Sequence, residues 1–212
     1  GLTSGSYTVS ATDLNGCITS SVFSITEPAP LAVSFNGIVD VSCNGGSDGS
    51  ATASGNGGTP NYSYTWSPGG SNSSMLSNMI AGTYTVDISD NNGCMAQNTV
   101  TISEPVAIVL LPTISDVQCG GGTNGAISIS INGGIAPYSH TLMPGNIIGV
   151  NFSNLSPGTY SIITNDANAC MITTTLDITQ PVAMSTAISF TNADCLTQNG
   201  VASISVTSGG VP

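Results

Sequence analysis

Six cysteines are the residues of this chain whose type and spacing point most directly to chemistry. They recur at two nearly fixed repeat positions: Cys17, Cys94 and Cys170 in one set, and Cys43, Cys119 and Cys195 in the other. No Cys-x-x-Cys pair is present and His140 is the one histidine, so a zinc site is poorly supported. Regularly spaced cysteines in small β-domains instead favour disulfides, and with them an oxidising, extracellular compartment.

Each cysteine of the first set ends a short loop whose oxygen atoms could hold a metal ion. The loops read Asp13-x-Asn15, Asp90-x-Asn92 and Asp166-x-Asn168, and the cysteine follows two residues later. Calcium needs six or more oxygen ligands, and each loop offers only a few. Asp and Asn side chains also cap turns, which is the interpretation we favour. We therefore predict no metal and no cofactor. Calcium stays as the weaker alternative, at four residues: Asp90, Asn92, Asp166 and Asn168.

No pattern of catalytic residues accompanies these loops. His140 could be imagined as a base beside a serine and an aspartate, but its repeat-equivalent is Tyr64, so we interpret it as an aromatic-like substitution on a strand. A nucleophile elbow, paired carboxylates and a phosphate-binding loop are missing from the sequence. Tyr62, Tyr64 and Trp66 alternate along one strand, and such a row is more often core than a sugar-binding platform. We predict that the chain is not an enzyme.

A motif that occurs three times indicates which elements position the cysteine loops. Its copies span residues 2–9, 79–86 and 155–162, and each places a glycine two residues before a tyrosine that enters an alternating strand. The tyrosines, Tyr7, Tyr84 and Tyr160, lie 77 and 76 residues apart, so the chain is a tandem repeat. In immunoglobulin-like sandwiches such a tyrosine bonds back to the backbone of the corner before the strand. We predict this tyrosine corner in each copy, with Gly82 and Gly158 at the turn.

The repeat of about 76 residues predicts an all-β chain of immunoglobulin-like antiparallel β-sandwiches, arranged head to tail. Each repeat has seven short apolar-alternating segments, polar turns and no helical periodicity. We divide the chain into residues 1–28 (strands F and G of a repeat), 29–105 and 106–181 (complete repeats), and 182–212 (strands A and B). Two strands alone should not fold, so we expect these ends to belong to a longer array.

Several details of the strands follow from the same pattern. In the first complete repeat we predict a bulge near Asn36 and Gly37 in strand A, and a strand G from Thr99 to Ser103. In residues 1–28 we expect five side chains to face inward: Tyr7, Val9, Ala11, Phe23 and Ile25.

The composition excludes several classes of partner. The chain has no Lys and no Arg, eleven acidic residues and a net charge of −11. Without cations it cannot neutralise phosphates, so we predict no nucleic-acid partner. It also lacks an apolar run long enough to span a bilayer, so we predict no membrane insertion in this segment.

The sequence leaves the disulfide partners open between two arrangements. Pairs repeated once per domain usually close within the domain, which gives Cys43–Cys94 and Cys119–Cys170. In an immunoglobulin-type topology, however, Cys43 and Cys94 lie at opposite poles, separated by a strand of roughly 25 Å. Disulfide Cα atoms lie within about 7 Å of each other. We therefore rank Cys43–Cys170, which would staple consecutive repeats at their joint, slightly ahead.

Five linked motifs of the first complete repeat carry a resemblance to a known family. They lie at residues 43–49, 57–67, 81–86, 90–94 and 102–105, and together they resemble the SprB-type repeat of giant cell-surface adhesins in Bacteroidota. The resemblance implies a structural role at the bacterial cell surface, export by the type IX secretion system, and a part in adhesion or gliding motility. The expected partners are neighbouring repeats of the same chain and lateral copies in a filament.

Two other functions compete with this structural one. An array of carbohydrate-binding modules would need an exposed aromatic platform on each repeat, but Leu142 stands where the first repeat has Trp66. Accessory β-modules of a secreted enzyme are the second alternative. We therefore predict a stalk or fibre segment of a long extracellular adhesin or surface filament.

Overall fold

The computed structural model describes residues 1–193, 195–196 and 199–209. The described residues form 17 strands and no helix, and therefore no helix that could cross a membrane. The chain folds into two compact units, Gly1–Val41 with Gly45–Ser103, and Ser42–Asn44 with Glu104–Pro212.

The strands of the first unit are β1 (Gly5–Thr12), β2 (Ile18–Ile25), β3 (Ala32–Val39), β4 (Gly49–Asn56), β5 (Ser63–Ser67), β6 (Met75–Met79), β7 (Gly82–Ser89) and β8 (Met95–Ile102). Those of the second unit are β9 (Val109–Ser115), β10 (Gly125–Asn132), β11 (Ser139–Met143), β12 (Ile147–Ile148), β13 (Asn151–Leu155), β14 (Gly158–Asn165), β15 (Met171–Ile178), β16 (Ser185–Thr191) and β17 (Val201–Ser208).

The first unit contains a sandwich of two antiparallel sheets, ordered β3-β4-β6 and β5-β7-β8. Alternate residues of β4 and β7 face the interior, as the period of a half-buried strand requires. The small side chains Ala51 and Ala53 leave room there for Trp66, which is 1% exposed and has the ring of Phe35 6.0 Å away. The predicted immunoglobulin-like β-sandwich is confirmed.

Strand details of this sandwich partly differ from the predictions. The bulge is confirmed, because the β3–β4 register shifts between Asn36 and Val39. The prediction of seven strands is wrong for this repeat, which has six (β3–β8). Residues 68–74 form turns instead, and they satisfy the Trp66 indole, which donates to the carbonyl of Ser73. Strand β8 begins at Met95 rather than Thr99, because its first four residues pair one by one with the end of β7.

The second unit repeats the sandwich with sheets ordered β13-β10-β9 and β12-β11-β14-β15. The two-residue strand β12 brings this repeat to the seven predicted strands. Its core is separate and built from aliphatic residues and one phenylalanine: Leu110, Val117, Ile127, Leu142, Phe152, Leu155, Ile162 and Ile178. Pro112, which cannot donate to a ladder, lies in the edge strand β9.

Two hairpins complete the described residues, β1–β2 in the first unit and β16–β17 in the second. Their strands pair as expected, but no second sheet covers either of them, so almost every side chain is exposed. The five side chains predicted to face inward lie on one face of the first hairpin, and their burial in a complete repeat stays a prediction. Tyr7 stacks on Phe23 and is half-buried, as is Ile25, whereas Val9, Ala11 and Phe23 are exposed.

Candidate functional site

Tyrosine corners set the start of the strands that lead to the cysteine loops. The hydroxyl of Tyr84 donates to the carbonyl of Ile80 at 3.1 Å, and that of Tyr160 donates to Ser156 at 3.0 Å. Tyr7 makes the same bond to Thr3 at 2.7 Å. Gly82 and Gly158 are the first residues of β7 and β14. Each eight-residue strand then runs from its corner to an Asp-x-Asn-x-Cys loop at the opposite pole of its sandwich.

The aspartate of each loop holds the backbone of its turn. In the second repeat, Asp166 Oδ1 accepts from the N–H groups of Asn168 at 2.9 Å and Cys170 at 3.0 Å. Its other oxygen accepts from the N–H of Ile135, in the turn before β11, at 3.0 Å. These donors, Ile135 first, keep the pKa of Asp166 below its ordinary value although burial acts the other way.

The first repeat has the same arrangement. Asp90 accepts from Asn92, Cys94 and Thr59, and the N–H of Thr59 is the main reason that its pKa is also lowered. Asp13 makes the two bonds of the turn, to Asn15 and Cys17. All three loops thus have the hydrogen bonds of turn capping. The long-range bond to residue 59 or 135, thirty-one positions away, has no signal in the loop sequence itself.

The weak calcium candidates use their polar atoms within the protein. Both oxygens of Asp90 and of Asp166 accept backbone N–H groups, and the amide of Asn92 donates to the Thr59 hydroxyl at 2.9 Å. Among the described residues, no three or more histidine, cysteine or acidic side chains lie together as metal ligands would.

A disulfide joins Cys43 to Cys170, the pair that we rank first from the sequence. The Cα atoms lie 5.6 Å apart, and 127 positions separate the residues along the chain. The neighbouring groups fix both sides of the bond. The amide of Asn168 donates to the carbonyl of Ser42 at 2.8 Å, and the amide of Asn44 donates to Glu104 Oε1 and to the carbonyl of Pro105, each at 3.1 Å.

The other four cysteines, Cys17, Cys94, Cys119 and Cys195, are exposed thiols in this structure. The alternative arrangement, with Cys43–Cys94 and Cys119–Cys170, is therefore not the one present. The topology explains why. Cys43 precedes β4, whose first residue, Gly49, pairs with Met79 just before β7 begins. Cys94 follows the other end of β7, so an eight-residue strand separates the two cysteines.

The aromatic row and His140 lie in the sandwich interior. Trp66 is buried, with Tyr62 and Tyr64 half-buried beside it, so this strand presents no open aromatic platform. His140 is 5% exposed on β11, and its Nδ1 lies 3.1 Å from the hydroxyl of the fully buried Thr164. Burial lowers the pKa of His140 below its ordinary value.

Thr164 is a partner that the sequence interpretation missed. It faces His140 across the β11–β14 ladder, just as Ile88 faces Tyr64 in the first repeat. The sequence held a signal for this partner, because the pair Tyr64 and Ile88 of the first repeat is replaced at both positions, by His140 and Thr164, in the second.

Comparisons with known proteins agree with the repeat pattern. The family model described as the SprB repeat matches residues 36–71 and 111–146. Two segments of this chain are similar to the SprB repeat. The predicted resemblance is confirmed for these SprB-like segments, which hold Cys43 and Cys119 at equivalent places. No curated protein matches the chain.

A solved structure, that of surface layer protein SbsC, domains 1–6, aligns with 96% of this chain at 12% identity. The alignment covers 44% of that chain, so this chain spans less than half of its length. The TM-score is 0.31, and the likeness carries no argument about function.

Proposed function

We propose that this chain is a structural segment of a long extracellular adhesin or surface filament on a bacterial cell, where its repeats form the stalk. The observation that carries the proposal is the Cys43–Cys170 disulfide, which ties the A–B segment of one sequence repeat to the F–G loop of the next. A fibre under tension gains from such a bond a covalent path that bypasses the strands between the two cysteines.

Other features support the extracellular part of the proposal. Disulfides persist in oxidising compartments, and two segments match the SprB repeat. The surface location and the type IX export that the sequence resemblance implies fit both observations. The absence of Lys and Arg removes every cleavage site for trypsin-like proteases. A role in adhesion or in gliding motility is the finer form of the same proposal.

Lateral association of copies fits the surface of the molecule. Charged residues make up only 5% of the chain, and all of them are acidic, so few opposite charges are available to select a partner. Neutral Ser, Thr and Asn side chains, together with exposed apolar ones, form the outer faces of the strands, so the repulsion between copies is diffuse. We propose neighbouring repeats as the main partners and lateral copies as secondary ones.

The carbohydrate-binding alternative loses its strongest support. A sugar-stacking platform needs an aromatic face that is open to solvent. Trp66 is 1% exposed, and its indole N–H donates to the carbonyl of Ser73. In the second repeat the equivalent residue is Leu142, which is fully buried.

Electron microscopy of the native protein, on cells and after release, tests the proposed function. We expect long thin projections with a repeat of roughly 35–45 Å, the length of a strand with its end loops. Antibodies against the SprB-like segments should label them along their length. A short compact particle, or label confined to the inside of the cell, would contradict the proposal.

A further inference from the structure

The Cys43–Cys170 disulfide borders a cleft of 380 Å³ within the second unit. One wall is made of Cys43, Asn44 and residues 105–108. The opposite wall is the Asp-capped loop and the start of β15, including Asp166, Cys170 and Met171. The disulfide and the bond from Asn168 to Ser42 hold the two walls together.

The first of these walls occurs a second time, 76 positions later. Gln118, Cys119 and Gly120 with residues 181–184 border a cleft of 470 Å³. Residues 181–184 read Pro-Val-Ala-Met where residues 105–108 read Pro-Val-Ala-Ile. No cysteine loop forms the opposite wall among the residues that line this cleft. Consistent with an open cleft, Met184 is 64% exposed, whereas the equivalent Ile108 is half-buried.

The wall at Cys119 is held in position by its own contacts. The N–H of Gly121 donates to Gln180 Oε1 at 2.7 Å. Gly120 lies so close to the next segment that a Cβ there would fall 2.5 Å from the Cα of Ala183. The Cys119 thiol is therefore presented beside an apolar surface by a preformed turn, and it is exposed and unbonded.

The matching occupant is also present in this chain. The loop at Cys94 has the same aspartate scaffold as the loop at Cys170, with Asp90 accepting from residues 92 and 94. Its thiol is likewise exposed and unbonded. Asn92 donates to Thr59 within its own repeat, while the equivalent Asn168 donates to the carbonyl of Ser42 beside the disulfide.

We propose that the cleft beside Cys119 is a docking site for the Asp-capped cysteine loop of another repeat, and that the cysteine of that loop forms a disulfide with Cys119. The Cys94 loop is the other half of the same connection. This inference rests on the proposed fibre function, and it adds the site and the chemical group through which one repeat binds the next.

The covalent step needs an oxidant, which is a disulfide compound. A loop thiolate attacks the oxidant and forms a mixed disulfide, releasing one reduced thiol. The Cys119 thiolate then attacks the loop sulfur of this mixed disulfide and releases the second thiol. Two protein thiols and one oxidant disulfide thus give one protein disulfide and two small thiols. Docking in the cleft makes the pairing selective, because it brings Cys119 against the cysteine of an Asp-capped loop rather than against a second Cys119.

A bond at Cys119 would interleave with the bond already present. Cys94 and Cys119 both lie inside the loop of chain that Cys43–Cys170 closes. A later repeat bonded to Cys119 would therefore be linked through a segment that is itself closed by a disulfide. Successive bonds of this kind would form a continuous covalent series along a fibre.

The test uses the intact chain with oxidised glutathione as the oxidant, since a second copy supplies the loops at Cys94 and Cys17. Cleavage before each aspartate places the six cysteines in six peptides: 13–39, 40–47, 90–115, 116–165, 166–176 and 194–212. Mass spectrometry of the linked oligomers should find peptide 116–165 joined to 90–115 or 13–39. The proposal would be overturned if peptide 116–165 were joined to itself as often as to 90–115 or 13–39. It would also be overturned if no linked oligomer formed.

A variant separates docking from simple thiol reactivity. Met184→Gln places a polar but uncharged side chain in the cleft and should reduce linkage through Cys119 several-fold, while alkylation of Cys119 by iodoacetamide keeps its rate. Met75→Gln, at an exposed methionine of β6, is the matched control and should link as the unchanged protein does. Equal linkage in the two variants would count against the cleft. Neither result tests the fibre function, which electron microscopy of the native protein tests, so the two proposals can fail separately.

Discussion

At the scale of single residues, the aspartates of the cysteine loops organise the turns. Asp90 and Asp166 are nearly buried, and each accepts three backbone N–H groups from two different loops. Because both folded pKa values are lowered from 3.8, their contribution to stability is present above that value and is lost as the pH falls through the folded pKa.

These hydrogen bonds lead to a prediction about calcium. A calcium ion would need carboxylate oxygens that N–H donors already occupy, so we expect the same Tm in excess calcium and in a chelator. Differential scanning calorimetry at neutral pH measures this. A rise in Tm with calcium that disappears in Asp166→Asn, but persists in the exposed control Asp177→Asn, would contradict the turn-capping interpretation and favour the metal site.

His140 and Thr164 give the second repeat a pH dependence that the first repeat lacks. Burial lowers the folded pKa of His140 below its ordinary 6.5, so the unfolded state binds the proton more readily. We therefore expect the second repeat to keep its full stability above about pH 6.5 and to lose part of it as the pH falls below that value. Urea unfolding at pH 7.5 and pH 5 measures the change.

The first repeat supplies the control for this prediction. The double variant His140→Tyr with Thr164→Ile reproduces its Tyr64–Ile88 pair and should remove the extra loss between the two pH values. An unchanged midpoint in the original protein, or an equal loss in the double variant, would show that His140 is not the group responsible.

At the scale of elements, the tyrosine corner fixes where β7 and β14 begin. Tyr84 is 8% exposed and donates to Ile80. We expect Tyr84→Phe to lower the free energy of unfolding of the first sandwich by about 0.5–1.5 kcal/mol, the usual net value of one hydrogen bond. Tyr7→Phe is the matched control, because its bond lies on a hairpin without an opposing sheet. Equal effects of the two variants would contradict a stabilising role for the corner.

The elements also show how far the sequence could predict this protein. The repeat period predicted the tandem β-sandwiches, and alternation of Tyr62, Tyr64 and Trp66 identified the buried face of β5, because both depend on local pattern. The start of β8 at Met95 depends on pairing with β7 across a hairpin, which alternation in Met-Ala-Gln-Asn does not reveal. Likewise, the bond from Thr59 to Asp90 joins two loops, and only the folded sandwich brings them together.

At the scale of the whole molecule, the disulfide changes how the chain responds to force. A pull on the two ends passes through residue 43, across the sulfur bond and on from residue 170, so the strands between them carry no tension. Those 127 positions would contribute roughly 450 Å of extended chain, at about 3.6 Å per residue. Single-molecule stretching should therefore reach a contour length shorter by that amount when the bond is intact.

Reduction provides the comparison for this prediction. A reducing agent, or the Cys43→Ser variant, should restore the missing length, whereas Cys94→Ser should leave the shorter length unchanged because Cys94 is unbonded. Equal contour lengths in oxidised and reduced protein would contradict a covalent bypass of these strands.

The central claim is that consecutive repeats are bonded to each other rather than closed within themselves. Non-reducing peptide mapping of the monomer, after cleavage before aspartate and alkylation of free thiols, tests it most directly. We predict peptide 40–47 joined to 166–176, with Cys94 and Cys119 alkylated in their separate peptides. Peptide 40–47 joined to 90–115, together with 116–165 joined to 166–176, would contradict the claim.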